Sequence, residues 1–415
     1  MAFATDAPKP AFRVSQLIYD TRYRSYTIQV VVLILGLLFV SWLANNVIEN
    51  LARKGKDIDF GFLSSRAGYD LAQHLIPYTN DDTHFRALLV GLTNTLVVAI
   101  FGCIISTVLG VMIGVLRLSS NWIVSRLMSV YVEMFRNVPL VLWIILVYVV
   151  FSEVAPQPKD FKPIDGVAKT SMMFWDSVAV TNRGTNIPAP LLDRPLPDIG
   201  WLSTSFLAVL ILLGASFWVN AIIRRRATVA QESTGIRPPT WWKSLAVLVL
   251  PTAALLLAMG FHLEYPVLKG FDFQGGIRLS HAFTALTLAL SLYYAAVTAE
   301  IVRGGIQAIS RGQSEAAFAL GLRPGRTMSL VILPQALRVI IPPQISNYLS
   351  LTKDTSLGIA VSYLDLRGTL GGITLNQTGR ELECMVLMMA IYLLISLIIS
   401  SALNFYNSTV KLKER

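Results

Sequence analysis

Residues 312–336, GQSEAAFALGLRPGRTMSLVILPQA, lie between two strongly apolar segments and read as a short helix followed by a turn. Ser314 to Leu320 is rich in helix formers, and Gly321 stands where a left-handed C-terminal stop is expected. Pro324 with Gly325 predicts the turn beyond. Two helical turns are marginal alone in water. The Ala316, Ala317, Phe318 and Leu320 surface, with Glu315 as its one charge, therefore requires a partner: either the chain's own membrane domain or another subunit.

The surrounding chain decides where this helix sits. Of 415 residues, 54% are hydrophobic and 14% charged, against about a quarter charged in an ordinary soluble domain. A membrane span needs roughly 20 mostly apolar residues, and windows 28–43, 88–116, 139–151, 206–223, 245–261, 282–301 and 385–403 qualify. An eighth, 337–364, is apolar but interrupted by Pro342, Pro343 and the pair Lys353 and Asp354. The polar arm before the first span carries Lys9, Arg13, Arg22 and Arg24 without a small-residue cleavage site after it, so that span reads as an anchor. Cys103 and Cys384 are too few and too far apart for a disulfide framework or metal site.

The net charge of +10 is a matter of loops rather than of nucleic acid. With eight spans and the N-terminal arm inside, the inner segments are rich in Lys and Arg, notably Arg224, Arg225, Arg226, Lys411, Lys413 and Arg415, while the outer segments are balanced to slightly acidic. Both termini and residues 312–336 are then cytoplasmic. Dropping the interrupted span would put the basic tail outside. Loops 46–86 and 152–203 become external, the second rich in Pro, Asp and Asn and without helical periodicity. Trp241 and Trp242, before the fifth span, mark a headgroup layer.

Glu315-Ala316-Ala317, three residues, Gly321, nine residues and Val331-Ile332-Leu333-Pro334 resembles the EAA loop of ABC importer permeases, with Val331 in place of an Ile. Further stretches resemble the polar amino acid branch in family order. They are Gly91-Leu92 with Thr95-Leu96, Tyr131-Val132-Glu133 through Pro139-Leu140, Glu300 through Ile306, Leu333 through Arg338, and Lys353-Asp354-Thr355-Ser356-Leu357. Val297 and Trp143 depart from the branch, where Tyr and Gln are frequent. The extra N-terminal span, the long first loop with Phe60 to Leu63 and Arg66 to Gly68, and an added pair of spans resemble the Q-type subunit of general L-amino-acid transport.

The resemblance implies an all-α polytopic protein of about eight transmembrane helices with the type I ABC importer permease fold and a cytoplasmic coupling helix. It implies a coupling loop of Gly312, Ser314, Glu315, Ala316, Ala317, Gly321, Arg323 and Pro334 that docks on a cytoplasmic ABC ATPase dimer. A second, M-type permease subunit and a periplasmic amino-acid-binding protein would complete an importer for L-amino acids in a bacterial inner membrane. The chain then divides into residues 1–87 (arm, first span, external loop), a permease domain 88–406 that includes loop 152–203 and the added pair 204–261, and a basic cytoplasmic tail, 407–415. No cofactor is expected on this chain, ATP being hydrolysed by the partner ATPase. No G-x-x-x-x-G-K-[ST] loop occurs, and Gly55-Lys56 continues with Asp57.

Gly110 and Gly114 form a G-x-x-x-G pair suited to close helix packing. Lys353 and Asp354 would each cost roughly 2.5–3.5 kcal/mol facing lipid at the bilayer centre, so they should face the bundle, an interface or a substrate path. Two readings of the run stand side by side: Lys353, Asp354, Thr355 and Ser356 together match a zwitterionic amino acid, or the adjacent opposite charges satisfy neighbouring polar groups. Glu300 and Arg303 are spaced to pair at i and i+3. Two other classes remain in view: an ion-driven secondary transporter, which suits broken helices and midplane charges but needs no EAA pattern, and a permease for another small polar solute. An intramembrane enzyme finds no support in His74, His84, His262 and His281, which lie in loops or at a span edge, and neither catalytic nor metal residues are expected.

Overall fold

A computed structural model describes residues 16–53, 57–164, 167–197, 203–236 and 238–410. Lys9, Arg13, Gly55, Lys56, Lys411, Lys413 and Arg415 lie outside the described residues. The chain divides into two units, Met1–Phe62 and Leu63–Arg415. The first is built on helix α1, Thr21–Arg53, whose Tyr23–Asn50 portion is long and apolar enough to cross a membrane. Its polar side chains gather at both ends: Thr27 donates to the Tyr23 carbonyl and Gln29 to Ser25 in the first turns, and Asn46 donates to the Trp42 carbonyl and Arg53 pairs with Glu49 in the last.

The second unit begins with α2, His84–Leu116, whose cap is the Thr83 hydroxyl accepting the Arg86 N–H. A bent pair follows, α3 (Trp122–Asn137) and α4 (Leu140–Val149). Strands β1 (Ala179–Thr181), β2 (Gly184–Ile187) and β3 (Ala189–Leu192) precede the hairpin of α5 (Thr204–Thr234) and α6 (Trp241–Ala258). Strands β4 (Phe261–Glu264), β5 (Val267–Lys269), β6 (Asp272–Gln274) and β7 (Ile277–Leu279) lead into α7, His281–Gln307. Then come α8 (Arg311–Ala319), α9 (Leu333–Asp354) and α10 (Glu381–Val410).

The core is organised around α7. One of its faces is a run of small residues, Ala285, Ala289, Ala295, Ala296 and Ala299, all buried, and small side chains let neighbouring helices approach closely. Near its start, Phe283, Leu286 and Leu290 pack with Val98 and Ala99 of α2, Leu140 and Ile144 of α4 and Leu351 of α9. Towards its end, Ala295, Ala296 and Ala299 pack with Ile113 of α2 and with Val132 and Phe135 of α3. The helices α2 and α7 therefore run parallel.

These contacts resolve the third span. The expected window 139–151 is only half of it: α3 and the helical stretch Leu140–Val154, which begins with α4, meet at 102° and together are long and apolar enough for one crossing. Pro139 has no N–H to donate, and its ring drives Val138 into an extended conformation, ψ 133°. Arg117, directly before α3, pairs with Glu300 near the end of α7 and donates to Ser129 of α3, and in the segment after α4, β2 pairs with β7 at the start of α7. The pair thus traverses the whole length of α7. Seven described helices are long and apolar enough to cross a membrane, and the bent pair, counted as one span, brings the number to eight.

Two expectations need correction. Pro324 opens a helix instead of a turn, with Arg323 extended before it (ψ 152°). Proline suits a first helical position, since its missing N–H has no partner there in any case. The interrupted span 337–364 accordingly runs from Pro324 to Val361 and stays helical through Pro342 and Pro343. The second long loop is also more regular than its composition indicates: β1–β2–β7 and β3–β4 pair it antiparallel with the segment before α7. An Arg278 guanidinium 2.6 Å from Asp272 braces that assembly. A mostly helical protein thus carries a small β structure at one end.

Candidate functional site

The quoted segment forms α8 and its cap. The helix starts at Arg311, three residues before the expected Ser314, and ends at Ala319. Gly321 takes φ +80°, the Gly321 N–H bonds the Phe318 carbonyl, and the Leu322 N–H reaches back to the Ala317 carbonyl. This is the paired arrangement of a Schellman stop, which satisfies the orphan carbonyls and needs a residue without Cβ strain at its turn. Ala317 is buried, Ser314 is half-buried, and Gly312, Glu315, Ala316 and Arg323 are exposed. Phe318 is 49% and Leu320 83% exposed, so apart from Ala317 the apolar surface expected to need a partner is uncovered in the chain.

This segment is seated on the base of the α9 span. Gln335 donates to the Val331 carbonyl and faces the Gln313 side chain at 3.5 Å. Between them, Met328–Ile332 is one wide π-helical turn, with Pro334 at the start of α9. Close by, Glu300 accepts from Arg303, as its spacing predicted, and also from Arg117 at the end of α2. The second partner, 183 residues away in sequence, had no local signal. Arg117 has a side chain only 10% exposed, so the end of α2 and the end of α7 are locked electrostatically directly before α8.

Gly110 and Gly114 serve the same two helices. A Cβ on Gly110 would overlap Thr298 and lie 2.9 Å from the Ala295 carbonyl oxygen; one on Gly114 would lie 2.8 Å from the Ala299 carbonyl oxygen. Thr298 in turn accepts from Gln344 (3.2 Å) and Asn347 (3.0 Å) of α9. These are buried polar groups that hold three helices together where no water competes.

The four residues expected to form a substrate cluster are not brought together. Lys353 is exposed. Asp354 turns into the bundle, where the Tyr294 hydroxyl donates to it at 2.6 Å. Thr355 is fully buried and bonds the Thr352 carbonyl, and the Ser356 carbonyl lies 3.4 Å from Arg367. Helical geometry separates adjacent residues by about 100°, so neighbours in sequence face different ways.

That same geometry sorts α9 into two stripes. Ala336, Ile340, Gln344, Asn347 and Leu351 are buried, whereas Val339, Pro342, Pro343, Ser346, Ser350 and Lys353 are exposed along the opposite face. Ser346 and Ser350, which share this uncovered stripe with Lys353, are what sequence reasoning missed; reading the segment at a period of 3.6 finds them.

Asp365 was also missed. It is fully buried, accepting the Gly368 N–H at 2.9 Å and the Tyr392 hydroxyl at 3.2 Å. The adjacent Leu366 N–H bonds Thr95 of α2, and Asn94 donates to the Leu364 carbonyl. The connection between α9 and α10 is thereby fastened to the first turns of α2.

The family described as binding-protein-dependent transport system inner membrane component matches residues 240–409. A glutamate/glutamine/aspartate/asparagine transport system permease from Rhodobacter capsulatus is 63% identical, with all of both chains covered. This chain belongs to the amino-acid ABC transporter permeases. A general L-amino acid transport permease from Rhizobium johnstonii is 41% identical over 96% of this chain and 94% of its own. An Escherichia coli permease, described as a putative amino-acid ABC transporter component, is 37% identical over 94% and 95%. A solved amino acid ABC transporter with histidines overlays with TM-score 0.44 at 18% identity, covering 79% of this permease and 95% of that chain. The permease is a transport subunit and not an enzyme. It is a multi-pass membrane protein of a family that works with an ATPase and a solute-binding protein.

Proposed function

We propose that this permease forms half of an inward path for L-amino acids, broad or polar and acidic in range, and takes its driving force from a cytoplasmic ATPase dimer through α8. The observation that carries the reading is the cap at Gly321: a nine-residue helix held rigid at its C-terminus and seated on α9, with Phe318 and Leu320 uncovered. Apolar groups on a short rigid helix suit a groove on a partner, and the small Ala316 allows close approach.

Eight crossings return the chain to its starting side, and the distribution of Arg and Lys favours the cytoplasm for both termini and α8. The β structure then faces the periplasm, where a binding protein delivers the solute, and residues 407–415 form a basic tail. Residues 1–87 are read as an arm, span and loop added to a permease domain of residues 88–406. A second, M-type permease supplies the other half of the path.

Within that path, the exposed α9 stripe of Ser346, Ser350 and Lys353 offers one ammonium and two hydroxyls, which fits a carboxylate-bearing solute better than lipid. Asp354 acts through Tyr294 to hold the stripe in register. Glutamate, glutamine, aspartate and asparagine, named for the 63% identical relative, are the solutes to try first.

The test is a cysteine at Ser314 in the complex assembled with its ATPase. Crosslinking to the ATPase, together with ATP-dependent uptake of L-amino acids by the reconstituted complex, is the expected result. Crosslinking only within the permease chain would overturn the docking claim.

A further inference from the structure

The α5–α6 hairpin carries a group of residues that neither the coupling segment nor the path uses. Its register follows from the strands above it. The Arg194 N–H bonds the Met259 carbonyl and the Leu196 N–H bonds the Ser205 hydroxyl, so the start of α5 lies beside the end of α6. From Ala258 back to Trp241 is about 26 Å of helix at 1.5 Å per residue. The same distance down α5 ends near Ile222. Trp241, Trp242 and Lys243 therefore stand level with the residues directly before Arg224, Arg225 and Arg226.

This level is also where hydrocarbon ends. From Ser205 to Ile223, α5 covers about 27 Å, close to the roughly 30 Å of a bilayer core. All three arginines are exposed, and three consecutive positions spread around some 200° of the helix. None has a carboxylate partner among the described residues. Glu232, the acidic residue of this hairpin, lies about 9 Å or more farther along α5. Trp241 is 73% and Trp242 51% exposed, and the Lys243 ammonium lies 5.3 Å from the Trp242 ring centroid. Side by side are uncompensated guanidiniums and indoles, at the depth of lipid phosphates.

We propose that the base of the α5–α6 hairpin binds anionic phospholipid headgroups, with Arg224, Arg225 and Arg226, fanned around α5, holding the phosphates of adjacent lipids and Trp241 and Trp242 packing on the glycerol and upper acyl region. Charge selects the lipid: an uncompensated basic cluster beside a headgroup layer attracts acidic lipids, and the indoles fix its depth. The site is independent of which solute is carried and of which subunits dock elsewhere.

The experiment uses the assembled complex in detergent, titrated with phosphatidylglycerol, phosphatidylcholine or inorganic phosphate and read by native mass spectrometry and thermal denaturation. Phosphatidylglycerol should bind and raise the denaturation temperature, with little effect of phosphatidylcholine. Each arginine changed to glutamine should weaken binding by about fivefold, and Trp241→Ala with Trp242→Ala should weaken it with the charges intact. Equal retention of phosphatidylglycerol by the folded triple glutamine variant would overturn the proposal. So would equal protection by phosphatidylcholine, or protection by inorganic phosphate that the lipid does not exceed.

Discussion

Glu300 accepts hydrogen bonds from Arg117, which closes α2, and from Arg303, one turn along its own helix α7. A single carboxylate thus balances two guanidiniums at the point where two parallel helices deliver the chain to the α8 segment. Glu300→Gln leaves the nearly buried Arg117 without its counter-charge. Breaking a buried pair from one side costs about 3–5 kcal/mol; the partial exposure of Glu300 and Arg303, 29% and 30%, points to the lower end. Thermal denaturation of the purified complex should register the loss, and Arg117→Met combined with Glu300→Gln should cost less than the sum of the two.

Gly110→Leu tests the approach of α2 to α7. There is no room for a Cβ beside Thr298 and the Ala295 carbonyl, so the helices must separate and the Thr298 bonds to Gln344 and Asn347 must lengthen. Overpacking of this kind costs typically 1–3 kcal/mol. The expected outcome is a lower yield of assembled protein and a lower denaturation temperature, whereas Gly214→Leu, in open space, should change neither.

Gly321→Val tests the coupling role proposed for α8. The φ of +80° at Gly321 is costly for a β-branched residue, and losing the stop reorients Phe318 and Leu320. Uptake in proteoliposomes should fall at least about tenfold, a loss of roughly 1.4 kcal/mol in coupling, while the ATPase keeps its basal hydrolysis. Uptake at the parent level would remove α8 from the coupling mechanism.

The α9 stripe predicts a pattern along one helix. Lys353→Met and Ser350→Ala should raise the KM for acidic solutes, the lysine change by about an order of magnitude if a charge-assisted bond of 1.5–3 kcal/mol is lost. Leu349→Ala, one position off the stripe, should leave KM unchanged. A uniform response at all three positions would argue for loosened packing in place of a lined path.

Acid should loosen the β structure through Asp272. Burial pushes its carboxyl up, but hydrogen bonds from Arg278 and the Phe273 N–H, with the charges of Arg278 and Arg183, outweigh burial and hold it below the usual 3.8. A carboxylate depressed in the folded state contributes its full stability above the unfolded value and loses it as pH falls through the folded one. Amide exchange at Gly184–Ile187 and Ile277–Leu279 should therefore be protected evenly from neutral pH to about 4 and lose protection below that. Asp272→Asn should abolish this acid step.

Much of the fold was legible because apolar windows and small-residue spacing are local signals. Gly321 was readable as a cap, and Gly110 with Gly114 as a packing pair, since each depends on its own few residues. What escaped was set by distance or by phase. Arg117 meets Glu300 across 183 residues, and Thr95 meets Leu366 across 271; neither pairing has a periodicity. The run Lys353 to Ser356 invited a reading as one cluster, yet a helix points its consecutive side chains apart. Pro324 was ambiguous because proline serves both a turn and a helix start, and here it takes the first helical position after an extended Arg323.

The bend at Val138 and Pro139 bears on how this protein is made. Neither half of that crossing is self-sufficient: α4, with ten residues, covers about 15 Å, and α3, with sixteen, about 24 Å, against a core of roughly 30 Å. Both halves are packed on α7, which the ribosome completes more than a hundred residues later. Together the two halves are long enough to cross, but their apolar packing faces, Val132 and Phe135 on one and Leu140 and Ile144 on the other, find their main partner in α7, so this crossing reaches its final packing after a helix made much later in the chain.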